Sequence, residues 1–188
     1  MDRNQALSAL RNITSDFKKV EASGKVIRPG AGNHVCLLTK LEMEPDTREL
    51  SDGREIKGLR CTFHYETVDP MPDTGKNLSF PGKGAFLVLD RAPYEAALNS
   101  TDENVQRPTW NIKSDESRFK GALKAILGES YQDNLEVDVD AVLSLVNGQT
   151  STAVEVYCQY KKGKVKPGED PSKAPEYFTD FINRTISN

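Results

Sequence analysis

Apolar residues recur every three or four positions in the first 22 residues of the chain. The recurring positions are Leu7, Leu10, Ile13, Phe17 and Val20. This spacing places them on one side of an amphipathic helix. Gly24 and Pro29 then interrupt the pattern, as glycine and proline commonly do. Residues 1–24 are therefore predicted to form an N-terminal helical arm that packs on the body of the protein or on a partner.

Alternation of apolar and polar residues predicts strands in the rest of the chain. The clearest case is residues 58–68, where Leu59, Cys61, Phe63 and Tyr65 fall on one face. Less regular runs, rich in β-branched and aromatic residues, predict four more strands. They cover residues 34–41, 78–90, 152–166 and 176–186.

The connections between these predicted strands carry their own signals. Residues 44–58 are polar and rich in turn formers, which predicts a protruding hairpin loop with its tight turn at Asp52 and Gly53. Pro81 and Gly82 interrupt the third strand, so its pairing is expected to be broken or bulged there.

Helices are predicted between the third and fourth strands. Residues 91–113 indicate a long insertion, in which a short helix is followed by a polar connection. Residues 114–148 indicate two helices, one with Ser114 as its N-cap and a shorter one capped by Asp140. Three strands, a helical insertion and two more strands form a five-stranded Greek-key barrel with helices between strands 3 and 4.

Composition limits the class of protein. A length of 188 residues suits one hydrophobic core, so residues 1–188 are predicted to form a single, mainly β domain. The net charge of -3 requires no polyanionic partner, and a nucleic-acid surface would have to be a local basic stripe. The first 20 residues contain no uninterrupted apolar stretch of the kind that an export signal carries, and no apolar run reaches the ~20 residues that a membrane helix needs, so we expect neither secretion nor membrane insertion. Its three cysteines lie in apolar runs, which predicts free thiols in a reducing compartment.

Several segments of the chain together resemble bacteriophage single-stranded-DNA-binding proteins of the oligonucleotide-binding (OB) fold. The segments are DFKKVEASGK, DGREIKGLRCTFHYET, RFKGALKAILG, VDVDAVLSLVNGQ, VEVYCQYKKGK and EYFTDFINR. The resemblance covers most of residues 16–186, and residues 70–113 depart from it by being longer. It implies sequence-independent binding of single-stranded DNA in phage replication or recombination, with the proteins of those processes as partners. It also implies a location in the cytoplasm of an infected bacterial cell, and neither catalysis nor a cofactor.

A surface for single-stranded DNA needs cations for the phosphates and flat rings on which bases stack. On the fourth strand, Tyr157 interrupts a polar face and is followed by several lysines. Those lysines are Lys161, Lys162, Lys164 and Lys166. On the last strand, alternation separates neighbouring aromatic residues, and Tyr177 is the candidate for exposure. A lysine-rich turn that protects a strand edge is the simpler alternative.

Other candidates lie on the second and third strands. Arg60 and His64 fall on the face opposite Phe63, where they are predicted to point outward to phosphates and bases. An ordinary polar outer face is the alternative. A second cluster of basic and aromatic residues is formed by Lys76, Phe80 and Lys83. For Phe80, and for Trp110 in the insertion, burial in the core is the alternative.

Two other function classes remain open from the sequence. A structural protein could assemble as a homo-oligomer through the N-terminal helix, with the barrel as its scaffold. A metal-dependent nuclease or other hydrolase would need a site in residues 91–113 or at the alternating carboxylates Glu136, Asp138 and Asp140. Solvation and helix capping explain those carboxylates more simply. The spacing of cysteine and histidine fits no zinc site, and the full phosphate-loop pattern is absent from the sequence.

Overall fold

The structure is a computed structural model, and it describes residues 27–50, 53–72, 75–102, 108, 110–148, 152–163, 170, 172 and 174–186. The predicted N-terminal helix lies outside these residues. So do the predicted turn residue Asp52 and two of the candidate lysines, Lys164 and Lys166. No described helix has the length and apolarity needed to cross a membrane.

Six strands and three helices make up the described part of the chain. The strands are β1 (Gly32–Glu49), β2 (Glu55–Thr67), β3 (Ser79–Pro81), β4 (Ala85–Val88), β5 (Thr152–Lys162) and β6 (Glu176–Thr185). The helices are α1 (Ala92–Leu98), α2 (Ile112–Leu127) and α3 (Leu135–Asn147), and a short 3-10 turn, Gly128–Ser130, follows α2.

The strands form one antiparallel sheet in the order β3-β2-β1-β5-β6, and β4 pairs with the other half of β2. The protein is therefore mainly β, as predicted. The sheet is open in the described residues, and its strand pairing does not close a barrel. The third predicted strand is split into β3 and β4 at Gly82, where the sequence places its interruption.

The first hairpin is much longer than predicted. β1 and β2 pair continuously up to Glu49 and Glu55, so the prediction of a loop over residues 44–58 is wrong for most of that range. Gly53 makes the turn with a φ of +81°, in the region that glycine adopts without strain. The polar residues that indicated a loop instead cover the outer face of this hairpin, while Leu50 and Ile56 are buried on its other side.

Both predicted caps of the long helices are wrong. The N-cap of α2 is Asn111, whose side chain accepts a hydrogen bond from Lys113 N, and Ser114 lies inside the helix. The N-cap of α3 is Asn134, so this helix starts before Asp140. In both cases an earlier asparagine supplies the side-chain oxygen that satisfies a free backbone N–H of the first turn.

The main core lies between the sheet and α2. Cys61, Phe63 and Tyr65 of β2 are buried, as the alternation predicted. They pack with apolar residues of the other strands and of the helix, including Phe119, whose ring stacks on Phe63 at 5.6 Å between centroids. α2 contacts both β4 and β6. It therefore spans the gap between the two outer strands of the open sheet.

A buried carboxylate ties these two sides of the sheet together. Asp180 of β6 accepts a hydrogen bond from the backbone N–H of Lys83, in the β3–β4 connection. Its other oxygen accepts from the hydroxyl of Tyr65 at 3.0 Å. A Cβ at Gly82 would lie 2.5 Å from Asp180 Oδ2, so the approach requires glycine at that position. We call this contact the Asp180 bridge.

A second, smaller core anchors the long hairpin to the insertion. Its buried residues are Leu50, Ile56, Phe86, Tyr94, Ala97 and Ile112. Trp110 packs edge-on against Phe86. The Arg48 guanidinium lies over both rings, 4.3 Å from the centroid of Phe86 and 5.0 Å from the centroid of Trp110. The ring of Trp110 is partly buried against this cluster, which is the alternative that the sequence left open to stacking on a base. The described part of residues 91–113 includes the predicted short helix and serves this packing.

The three cysteines are buried free thiols, and this predicts their reactivity. Burial raises the pKa of Cys36 to about 12, of Cys61 to about 11 and of Cys158 to about 12. Because the thiolate is the reactive form, we expect the folded protein to resist a thiol-specific reagent at pH 8. In denaturant three thiols should react per chain. Rapid labelling of the folded protein would contradict this packing.

Candidate functional site

The outer face of the β5–β6 hairpin carries three exposed aromatic rings. Tyr157 pairs directly with Phe181, and four residues further along β5, Lys161 pairs with Tyr177. Directly paired residues, and residues two and four positions along a strand, share one face of a sheet. The exposed fractions are 37% for Tyr157, 41% for Phe181 and 56% for Tyr177. We call these rings and Lys161 the aromatic face.

Polar groups border the aromatic face along the sheet. Asn183 lies at an irregularity in the β5–β6 register and donates to Asn33 and to Glu155. Arg184 also donates to Glu155, and its side chain is 72% exposed. At the opposite end of the hairpin, Lys162 is exposed next to Lys161. The rings are thus flanked by exposed cations at both ends of the hairpin.

Sequence reasoning predicted two of the three rings. Tyr157 and Tyr177 were chosen because alternation puts them opposite the core. Phe181 was missed, although it lies four residues from Tyr177 and so falls on the same face. The neighbouring ring of Phe178 points to the other side, where it packs against Phe80 and Tyr160.

Arg60 and His64 lie in a different electrostatic environment from the aromatic face. Arg60 Nη2 is 2.8 Å from Asp46 Oδ2, and His64 Nε2 donates to Glu42 Oε2 at 3.1 Å. These carboxylates belong to β1, where alternate residues face outward beside β2. The row of outward carboxylates comprises Glu42, Glu44 and Asp46. We call it the acidic row.

Contact of Arg60 and His64 with DNA stays a prediction. Both side chains face outward, as alternation predicted, but they are paired with carboxylates of the acidic row. A phosphate would have to displace those partners in the field of a further carboxylate. The pairing between β1 and β2 could not be derived from the periodicity of one strand.

The predicted cluster of Lys76, Phe80 and Lys83 is not one surface. Phe80 is 2% exposed and packs against Tyr65 in the core, so the prediction that its ring stacks on a base is wrong. Its position on a strand that pairs with β2 turns it inward. Lys76 is exposed in the β2–β3 connection. Lys83 instead lies at a cleft beside β6.

That cleft lies between α2, β6 and the β3–β4 connection, and has a volume of about 510 Å³. Its cationic lining is Lys83, Arg118 and Lys161. Lys161 and Phe181 also belong to the aromatic face, so the cleft and the face meet at β6.

The described residues offer little to a metal-dependent reaction. They contain no group of three or more histidine, cysteine or acidic side chains placed to hold a metal ion. Asp138 is buried, and its carboxylate accepts hydrogen bonds from the backbone N–H groups of Gln132 and Asn134. That carboxylate therefore organises the start of α3 and does not form an exposed set with Glu136 and Asp140.

Comparison with protein-family models, curated protein sequences and solved structures found no match to this chain. The aromatic face and the cleft are therefore the features of the molecule that point to its function.

Proposed function

We propose that this protein binds single-stranded DNA without reading its sequence, and that the aromatic face is its contact surface. The observation that carries the proposal is the exposure of Tyr157, Phe181 and Tyr177 on one face of one hairpin. Aromatic rings of a monomeric domain are normally buried, and an exposed group of them marks a binding surface. Bases stack on such rings irrespective of sequence.

The spacing of the rings suits a strand that runs along the hairpin. Tyr177 is four residues from Phe181, which is roughly 13 Å at the usual rise of a strand. Two bases can therefore stack at separate places, with the Tyr157 and Phe181 pair at one and Tyr177 at the other. Lys161, directly opposite Tyr177, supplies a cation for the phosphate between them.

The strand order supports the finer assignment of the fold that we propose, a partly open OB barrel. β1 pairs with both β2 and β5, β5 pairs with β6, and the long helix α2 lies between β4 and β5 in the chain. An OB barrel is a Greek-key barrel that is only partly closed. In this chain the Asp180 bridge and α2 join the two outer sides where a closing strand pair would lie.

The biological setting of the proposal comes from the resemblance of the sequence segments to phage single-stranded-DNA-binding proteins. In that setting the protein covers and protects unpaired DNA during phage replication or recombination in the host cytoplasm. Assembly through residues 2–22 is a separate prediction, because those residues lie outside the described part of the chain.

A salt titration of oligonucleotide binding tests this function. A fluorescently labelled, mixed-sequence oligonucleotide should bind with micromolar or tighter affinity, measured by anisotropy. The affinity should fall steeply with salt, because bound cations release the counterions of the phosphates. Absence of salt-sensitive binding in the full chain would refute the proposal.

The slope of that titration should depend on Lys161 and Lys162. Each neutralised phosphate of a single strand contributes about 0.7 to the slope of log affinity against log salt. The variant Lys161→Gln/Lys162→Gln, which removes two cations, should therefore lower the slope by about 1.4.

Arg60→Gln is the matched control for this pair of substitutions. It also removes a cation from the outer face, but one that is already paired with Asp46. Its slope should equal that of the unmodified protein. A larger loss with Arg60→Gln than with the lysine pair would place the DNA on β1 and β2 instead.

A further inference from the structure

The cleft beside β6 combines cations with one accessible aromatic ring. Lys83, Arg118 and Lys161 contribute the cations, and Phe181, which is 41% exposed, contributes the ring, whereas Phe63 and Phe119 form the buried floor. Its volume of about 510 Å³ falls in the range of small-molecule sites, about 300–1,000 Å³. Ligands with one charged end and one flat end match such a lining.

The three cations are near enough to influence one another. Burial lowers the pKa of the Lys83 ammonium, and the positive charges of Arg118 and Lys161 lower it further, against the opposing effect of the Asp115 and Asp180 carboxylates. Arg118 is held in place, since its Nη2 donates to Gly84 O at 2.6 Å and lies 3.3 Å from Asp115 Oδ1. A guanidinium has five N–H donors, so this anchor still leaves donors for a ligand. An anion in the cleft would relieve the repulsion among these side chains.

The two carboxylates near the cations are already engaged. Asp115 lies 3.3 Å from Arg48 Nη2 and accepts from Phe86 N at 3.2 Å. Asp180 accepts from Lys83 N and from the Tyr65 hydroxyl in the Asp180 bridge. These contacts fix the walls of the cleft, and the ammonium groups of Lys83 and Lys161 remain accessible to a ligand.

We propose that this cleft is a pocket for a single nucleotide unit, with the phosphate at Lys83, Arg118 and Lys161 and the base against Phe181. This inference rests on the proposed function, because the nucleotide that fills the pocket belongs to the bound single strand of DNA. Phe181 and Lys161 line both the cleft and the aromatic face. A strand that leaves the aromatic face over β6 therefore places its next nucleotide at the mouth of the cleft.

Thymidine monophosphate, thymidine and inorganic phosphate are the three probes that test the pocket on the full chain. Thymidine monophosphate should bind and shift the backbone amide NMR signals of Lys83, Ser117 and Thr179. Thymidine and inorganic phosphate should each bind at least tenfold more weakly, because each fills only one half of the cleft. Equal binding of phosphate and thymidine monophosphate would overturn the role of Phe181.

Lys83→Gln is the variant that tests the phosphate end. Its backbone N–H, which forms the Asp180 bridge, is kept, so the fold should be unaffected. Loss of one charged hydrogen bond should weaken the binding of thymidine monophosphate by about tenfold. Lys124→Gln, an exposed lysine further along α2 and outside the cleft lining, should leave the affinity unchanged. An equal loss in the two variants would overturn the assignment.

The pocket and the proposed function can fail separately. If the oligonucleotide binds with the expected salt dependence while thymidine monophosphate does not bind, the pocket is refuted and the DNA-binding function stands. If thymidine monophosphate binds and the oligonucleotide does not, the pocket stands as a nucleotide site and the proposed function is refuted.

Discussion

The variant Tyr157→Ala/Tyr177→Ala is expected to bind a mixed-sequence oligonucleotide about 30-fold or more weakly than the unmodified protein. Each stacked base contributes about 1–3 kcal/mol, and about 1.4 kcal/mol corresponds to a tenfold change in affinity. Both rings are exposed and on one face. Their removal should therefore leave the fold intact, and anisotropy at fixed salt measures the loss directly.

Two control variants separate stacking from other effects of the substitution. Tyr157→Phe/Tyr177→Phe keeps both rings and removes both hydroxyls, so its affinity should stay within about twofold of the unmodified protein if stacking dominates. Leu89→Ala removes an apolar side chain that is 68% exposed and lies just after β4, and it should have no effect. If the alanine pair binds as tightly as the phenylalanine pair, the aromatic face is not the contact surface.

Asp180→Ala should lower the free energy of unfolding by about 2–4 kcal/mol. The substitution removes the acceptor for the Tyr65 hydroxyl and for Lys83 N, and each buried donor left without a partner costs about 1–3 kcal/mol. Urea unfolding, followed by circular dichroism, measures the change. Glu176→Ala, an exposed position on the same strand, should change stability by no more than about 0.5 kcal/mol.

The stability of the unmodified protein and that of Asp180→Ala should depend differently on pH. Burial raises the pKa of Asp180 above its ordinary value. The Asp180 carboxyl of the folded protein therefore keeps its proton at a pH where the same carboxyl of the unfolded chain has lost it. The stabilisation that this carboxyl contributes is thus present at low pH and is lost as pH rises through the raised pKa. The stability difference between the unmodified protein and Asp180→Ala should thus widen from pH 8 to pH 4. A difference that narrows would contradict a raised pKa.

Alternation along single strands was the most informative signal in the sequence. It correctly predicted the buried face of β2 and the locations of β5 and β6, because the apolar residues of a strand with one buried face must recur at every second position. It failed for the distal part of β1, where Glu44 and Asp46 lie on a solvated ribbon that has little apolar periodicity. The helix caps failed for a related reason: an asparagine just upstream competes with the serine or aspartate that looked suitable.

The candidate site was predictable only where one strand defined it. Tyr157 and Tyr177 follow from the strand that carries each of them. Their juxtaposition, and the addition of Phe181, require the register between β5 and β6. The pairing of Arg60 with Asp46 likewise depends on contacts between residues 14 positions apart. Electrostatic surroundings of this kind are properties of the assembled sheet, which a linear pattern does not contain.

The acidic row lies on the half of β1 that pairs with β2 alone, whereas the aromatic face adjoins the start of β1, where Asn33 pairs with Tyr157. The outer face of the sheet is therefore divided in charge along its length, with carboxylates towards one end of β1 and the exposed cations Lys161 and Lys162 beyond the other. If the proposed function holds, this division confines a bound polyanion to the β5–β6 hairpin, because like charges repel it from the remainder of the outer face.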